Sequence, residues 1–137
     1  MEHYCYSVRT EEGTFYYDGD DLLHRTDGPA REFSNGECEW FVHGKRHRED
    51  GPAVTWPIPR PNKEQEPAVC GYEAWYVNGV RHRADGPAQV YPNGDRVWYF
   101  QGELHREDGP AVEESDRRAW YTHGVLVDAP TMVVATT

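Results

Sequence analysis

The phrase His-Arg-x-Asp-Gly-Pro-Ala occurs four times without a gap, at residues 24–30, 47–53, 82–88 and 105–111. Its histidines stand 23, 35 and 23 residues apart, so the unit is 23 residues long and the second copy carries a 12-residue insertion. A Trp-aromatic pair precedes three copies, as Trp40-Phe41, Trp75-Tyr76 and Trp98-Tyr99. The pair returns as Trp120-Tyr121, and Tyr16-Tyr17 takes its place in the first copy. A repeat this short cannot bury its own apolar side; copies must stack, each covering its neighbour.

Turn chemistry divides the unit into strands. His43-Gly44, Asn78-Gly79, Gln101-Gly102 and His123-Gly124 put Gly second in a two-residue hairpin turn, where positive φ carries no steric penalty. Further turns stand at Asn35-Gly36 and Asn93-Gly94, and Asp-Gly-Pro closes every copy. Short runs between turns every eight to twelve residues, with no sustained helical period, predict an all-β meander. In Cys38-Glu39-Trp40-Phe41-Val42, residues 38, 40 and 42 share one face. Applied to Trp75, Trp98 and Trp120, that alternation predicts a continuous Trp ladder along the stacked face.

Composition agrees with a folded chain of unusual kind. Apolar residues reach only 37% and mean hydropathy is -0.90, but 13% of residues are aromatic. The core is therefore expected to rest on large amphipathic rings rather than on Leu and Ile. The formal net charge is -10, which disfavours direct nucleic-acid binding and suits a basic partner surface. Three cysteines, Cys5, Cys38 and Cys70, with no CxxC spacing, fit a reducing compartment. No signal peptide or membrane span is read, and the expectation is a cytoplasmic protein with no membrane association.

The string Glu39-Trp40-Phe41-Val42-His43-Gly44-Lys45-Arg46-His47 resembles the MORN repeat, whose copies place an aromatic pair before an x-Gly hairpin and a His shortly after it. The closer resemblance is to a MORN variant in which His-Arg-Glu-Asp-Gly-Pro-Ala replaces the usual His-Gly-x-Gly, familiar from phages, giant viruses and some bacteria. It covers roughly residues 16–127. It implies an elongated antiparallel β-hairpin ribbon of about four repeats plus caps, almost without helix. It also implies a binding scaffold without a particular reaction, in a viral setting one that blocks a host factor such as a defence or nucleic-acid-binding protein.

The His-Arg stripe is the first candidate for chemistry. His47, Arg48, His82, Arg83, His105 and Arg106, with Trp40, Trp75 and Trp98, form the candidate binding set. A structural reading leads: Asp accepts backbone N–H groups in its turn, and Arg pairs with acids of the adjacent repeat while stacking on rings. Catalytic sites break repeat symmetry, and this set obeys it, so no catalytic residue is assigned. A hydrolase using one His/Asp pair would require one copy, for example His82, to be singled out. The His3/Cys5 and His43/His47 pairs lack a second pair with matching ligand spacing, so neither a metal nor a cofactor is assigned.

The segments that break the pattern are the second candidate. The Pro-rich insertion near residues 57–68 should project as a stiff extended loop or edge, either as an inert insertion or as a contact offering Pro59 and Arg60 to a partner. Residues 1–15 are expected to form an N-terminal capping hairpin. Residues 128–137 are expected to form a C-terminal cap with a closing strand at Met132-Val133-Val134. One domain of 137 residues, acting as a non-enzymatic protein-interaction module, is the reading of the whole. Sequestration of a small anionic ligand, such as a nucleotide messenger gripped by Arg and stacked on Trp, is the alternative, and homo-oligomerisation through open sheet edges a further expectation.

Overall fold

The computed structural model of the protein describes residues 3–57 and 70–128. Among them are seventeen short strands and no helix. Eleven strands form one antiparallel sheet, and the other six form three two-stranded hairpins beside it. The all-β meander expected from the turn spacing is thus the fold, and it takes the form of the hairpin ribbon that the repeat resemblance implies.

One repeat shows the path. Arg31–Phe33 and Cys38–Glu39 cross the sheet as neighbours. Between them, Gly36 at φ 96° donates its N–H to the Phe33 carbonyl, and the Asn35 side chain accepts the Glu37 N–H. The chain leaves the sheet at Trp40 and turns through the hairpin Phe41–Val42/Lys45–Arg46. It then runs through the loop 47–52 and re-enters the sheet as Val54–Pro57, beside Cys38–Glu39. One long edge of the ribbon therefore carries the sheet turns, and the other carries the small hairpins and the Asp-Gly-Pro loops.

The small hairpins close with positive φ at both turn positions: His43 and Gly44 at 45° and 81°, Asn78 and Gly79 at 50° and 84°. Gln101-Gly102 and His123-Gly124 match them. This geometry suits the right-handed twist of the flanking strands. Successive hairpins are then bonded to one another, because Gly79 donates to the Arg46 carbonyl and Gly102 to the Arg81 carbonyl.

The core differs from the expected Trp ladder. The residues fully shielded from water are alanines: Ala30, Ala53, Ala88 and Ala111 of the repeated phrase, and Ala74. The carbonyl of each phrase alanine accepts the backbone N–H of an aromatic residue, from Tyr16, Trp40, Trp75 and Trp98 respectively, at 2.7–2.8 Å. A Cβ is all that fits where two chain segments approach so closely. The Trp rings themselves are half-buried, and no two Trp rings stack among the described residues. The strand breaks at Trp40, Trp75 and Trp98; Phe41 after the first break is buried, while Tyr76 and Tyr99 after the others are half-buried like the Trp rings.

A continuous column instead runs through Phe33, Phe41, Tyr76 and Tyr99 and alternates with arginine. Arg31 lies over Phe33 and Phe41, Arg46 over Phe41 and Tyr76, and Arg81 over Tyr76 and Tyr99, all at 5.3–5.8 Å from the ring centroids. Guanidinium planes between aromatic faces combine apolar contact with cation–π attraction. Glu39, buried, neutralises this column at one point, with Arg31 at 3.0 Å and Arg46 at 3.6 Å.

Outside the repeat pattern, Trp56 packs on Tyr72 at 4.8 Å and Tyr72 on Tyr91 at 5.2 Å. Tyr6–Thr10 and Gly13–Tyr17 form the hairpin at one end of the sheet, and Arg118–Thr122 with Val125–Val127 the hairpin at the other. The closing strand expected at Met132–Val134 lies outside the described residues. No helix among the described residues is long and apolar enough to cross a membrane.

Candidate functional site

Four copies of the same loop stand along one edge of the ribbon, each built around its arginine. Arg48 Nε donates to Asp50 at 3.0 Å and Nη1 donates to the Pro52 carbonyl at 3.1 Å. Arg25, Arg83 and Arg106 repeat both bonds, to Asp27 and Pro29, Asp85 and Pro87, Asp108 and Pro110. The guanidinium carbon lies over the preceding aromatic ring, with Arg25 at 4.2 Å from the centre of Tyr16, Arg48 and Arg83 at 4.0 Å from Trp40 and Trp75, and Arg106 at 3.9 Å from Trp98.

This arrangement explains Gly in the phrase. A Cβ at Gly28, Gly51, Gly86 or Gly109 would stand 2.7–2.8 Å from the guanidinium carbon, and none of these four glycines has positive φ. The glycine is there to let arginine pass between itself and the ring. The expectation that Arg pairs with acids of an adjacent repeat is corrected accordingly: its first partner is the Asp two residues on. Arg25 and Arg106 also reach Glu32 and Glu113 in the strand that follows. The Arg25 and Arg48 guanidiniums hold Asp27 and Asp50 below the usual carboxylate range.

Each phrase histidine joins its repeat to the next. Nδ1 of His24 accepts the backbone N–H of His43, and Nδ1 of His47, His82 and His105 accepts that of Asn78, Gln101 and His123, at 2.9–3.1 Å. The donor is always the positive-φ residue opening the next hairpin turn. The backbone of each phrase arginine adds a second tie, as in Arg48 N–H to the Tyr76 carbonyl. Nδ1 must be unprotonated to accept, which places the neutral ring's proton on Nε2.

At the first junction Asp18 joins in. Its Oδ2 is 2.7 Å from His43 Nδ1, and its Oδ1 accepts the N–H groups of Asp20 and Leu22. Asp18, His24 and His43 bring one ligand-type atom each within 4.8 Å of one another, a grouping that sequence spacing missed because the members lie in two repeats. The His43 hydrogen bond, aided by the two backbone donors, lowers the Asp18 carboxyl below its ordinary range. A metal on His24 would have to displace the His43 N–H or face it with an Nδ1 proton, so the bonding is that of a repeat junction. His3, read beside Cys5, instead meets Thr26 Oγ1 at 2.8 Å.

The structure brings His47/Arg48, His82/Arg83 and His105/Arg106 to one edge with Trp40, Trp75 and Trp98, but with the guanidinium and Nδ1 atoms already engaged. Pro59 and Arg60 lie outside the described residues; the strands on either side, Val54–Pro57 and Cys70–Ala74, pair with each other. Arg46, Arg81 and Glu39 were not singled out from sequence. The available signal was the long side chain two positions after each turn glycine: Arg46, Arg81, Leu104 and Leu126.

Between successive loops lie shallow grooves. One of about 610 Å³ is bounded by Arg25, Asp27 and Gly28 on one side and Arg48, Glu49 and Asp50 on the other, with Trp40 and Val42 between them. Its counterpart, of about 640 Å³, lies between the loops of Arg83 and Arg106 over Trp98 and Phe100. The arginine side chains are 18–27% exposed, whereas their partners Asp50, Asp85 and Asp108 are 86–88% exposed and Asp27, in the first loop, 42%. Glu49 and Glu107 point outward as well. Solvent thus meets a row of carboxylates whose countercharges lie beneath. No family model, curated protein or solved structure matches the chain.

Proposed function

We propose that the protein is a non-enzymatic interaction module whose loop edge binds a basic surface of another protein. The observation that carries this reading is the vertical separation of charge in each loop: cation under, carboxylate out, with apolar Trp floors between the rows. Such an edge attracts a cationic partner over a Debye length and offers its alkyl stems a surface to cover. A basic groove that ordinarily holds nucleic acid, in a defence or nucleic-acid-binding protein of a host, fits both this chemistry and the resemblance to viral MORN-variant repeats. Capture of a phosphorylated small ligand finds less support, because the arginine donors it would need are engaged by Asp and Pro and the histidine Nδ1 atoms by the next turn.

The test is reconstitution. A partner isolated on the wild-type chain is rebound to a Glu49→Gln/Glu107→Gln chain, whose Arg–Asp pairs are untouched. Affinity at least tenfold weaker, with a reduced salt dependence, is expected. An affinity unchanged by the two substitutions would place the interface elsewhere and sink the proposal.

A further inference from the structure

Resting on that reading, we propose that the loop edge takes an extended polypeptide in polyproline II conformation carrying a basic residue at every third position.

The sheet order fixes the spacing of the loops. Each loop leads into one strand: Arg31–Phe33, Val54–Pro57, Gln89–Val90 or Val112–Glu113. One strand, and only one, lies between each consecutive pair of these in the sheet. Successive loops are therefore two strands apart, about 9.6 Å at the usual strand spacing. The 12-residue insertion does not disturb this pitch, because the strands on either side of it, Val54–Pro57 and Cys70–Ala74, are direct neighbours in the sheet. A comb that is irregular in sequence, at 23, 35 and 23 residues, is regular in space.

Polyproline II has three residues per turn and advances about 9.3 Å per turn, so every third side chain returns to the same face at nearly the loop pitch. Over three steps the mismatch accumulates to only about 1 Å. A β-strand returns a side chain to one face about every 6.7 Å and an α-helix about every 5.4 Å, and neither period meets the loop pitch. In the grooves, a Lys or Arg stem lies on Trp40 and Val42, or on Trp98 and Phe100, while its charge reaches Asp50 and Glu49, or Asp108 and Glu107. Polyproline II has no internal hydrogen bonds and little conformational freedom to lose on docking.

Two synthetic peptides of equal composition and charge separate the possibilities, each titrated calorimetrically into the full chain. The periodic peptide is four tandem copies of Lys-Pro-Pro; the blocked peptide carries the same four lysines in one run, followed by the eight prolines. The periodic peptide is expected to bind at least tenfold more tightly, and Glu49→Gln/Glu107→Gln is expected to remove most of that advantage. Equal affinity of the two peptides overturns the three-residue register while leaving the basic-partner reading in place. Binding of neither overturns both.

Discussion

The Arg83 guanidinium lies 4.0 Å from the centre of the Trp75 ring, and this stack orders everything above it. With its guanidinium over the indole and its Nε on Asp85, the arginine is held as a planar plug under the loop. Its charge is then part of the interior, and the carboxylate is what a partner meets. Repeated along the ribbon, the same contact both joins the loop to the preceding aromatic residue and gives the edge its sign.

Gly86 should be the most sensitive small residue in this clasp. A Cβ there would stand 2.8 Å from the Arg83 guanidinium carbon, so Gly86→Ala must push the arginine off Trp75. The expected destabilisation is about 2 kcal/mol, within the range for overpacking a fitted site. Gly19 has no neighbour within 4 Å of the added carbon and no positive φ. Gly19→Ala should therefore be neutral or stabilising by up to about 1 kcal/mol, through the unfolded chain. Thermal unfolding of the two variants side by side distinguishes packing from general glycine sensitivity.

Gln101 opens its hairpin turn at φ 50°, where Asn78 stands at the same angle in the preceding repeat. Asn tolerates the left-handed region better than Gln because its short polar side chain bonds locally. Gln101→Asn should raise stability by up to about 1 kcal/mol without altering the bond from residue 101 N–H to His82. A lower melting temperature would contradict the turn assignment.

The pair Arg31–Glu39 occupies the register position held by Val54–Ala74 in the next repeat and by Gln89–Val97 and Val112–Ala119 beyond. Glu39→Ala leaves Arg31 and Arg46 without their shared carboxylate. The cost should be about 2 kcal/mol, below the roughly 3–5 kcal/mol of fully buried pairs because both arginines keep contact with water. Arg31→Val/Glu39→Ala installs an apolar pair already used by the fold, and should recover most of the loss. A double variant as unstable as the single one would show that the charge column does more than pack.

Much of this was legible in the sequence, and the boundary has a physical cause. Turn glycines and strand lengths depend on neighbours in the chain, so the hairpins at His43-Gly44, Asn78-Gly79 and Gln101-Gly102 could be placed, and helix excluded, without a structure. The alternation expected over residues 38–42 holds only for a single strand, and the chain breaks at Trp40 into Cys38–Glu39 of the sheet and Phe41–Val42 of a separate hairpin. What sequence alternation could not say was that the break would come there: it turns Phe41 inward and leaves Trp40 to Arg48. That outcome depends on contacts between repeats, as does the role of His24, whose partner is 19 residues away. The Asp18–His24–His43 grouping was hidden for the same reason.

Histidine at the repeat junction makes stability depend on pH in a defined direction. Burial, with the nearby His43 ring adding to it, lowers the His24 pKa below 6.5, and protonation at Nδ1 would turn the acceptor of the His43 N–H into a donor facing a donor. The unfolded chain then binds a proton that the folded chain refuses, so this contribution is complete above about pH 6.5 and is lost as pH falls below it. A second loss follows below about 3.8, where Asp18, Asp27 and Asp50, all lowered in the fold, take up protons. His24→Asn offers an oxygen acceptor near the Nδ1 position that does not titrate. It should retain most of the stability at about pH 7.5 and remove only the His24 share of the loss between about pH 6.5 and 5, leaving the junctions of His47, His82 and His105 as they are, whereas His24→Ala should be destabilised by about 1–3 kcal/mol at both ends, as expected for an orphaned backbone N–H. Chemical denaturation at the two pH extremes gives the answer: a wild-type midpoint that does not move between them would remove His24 from the junction.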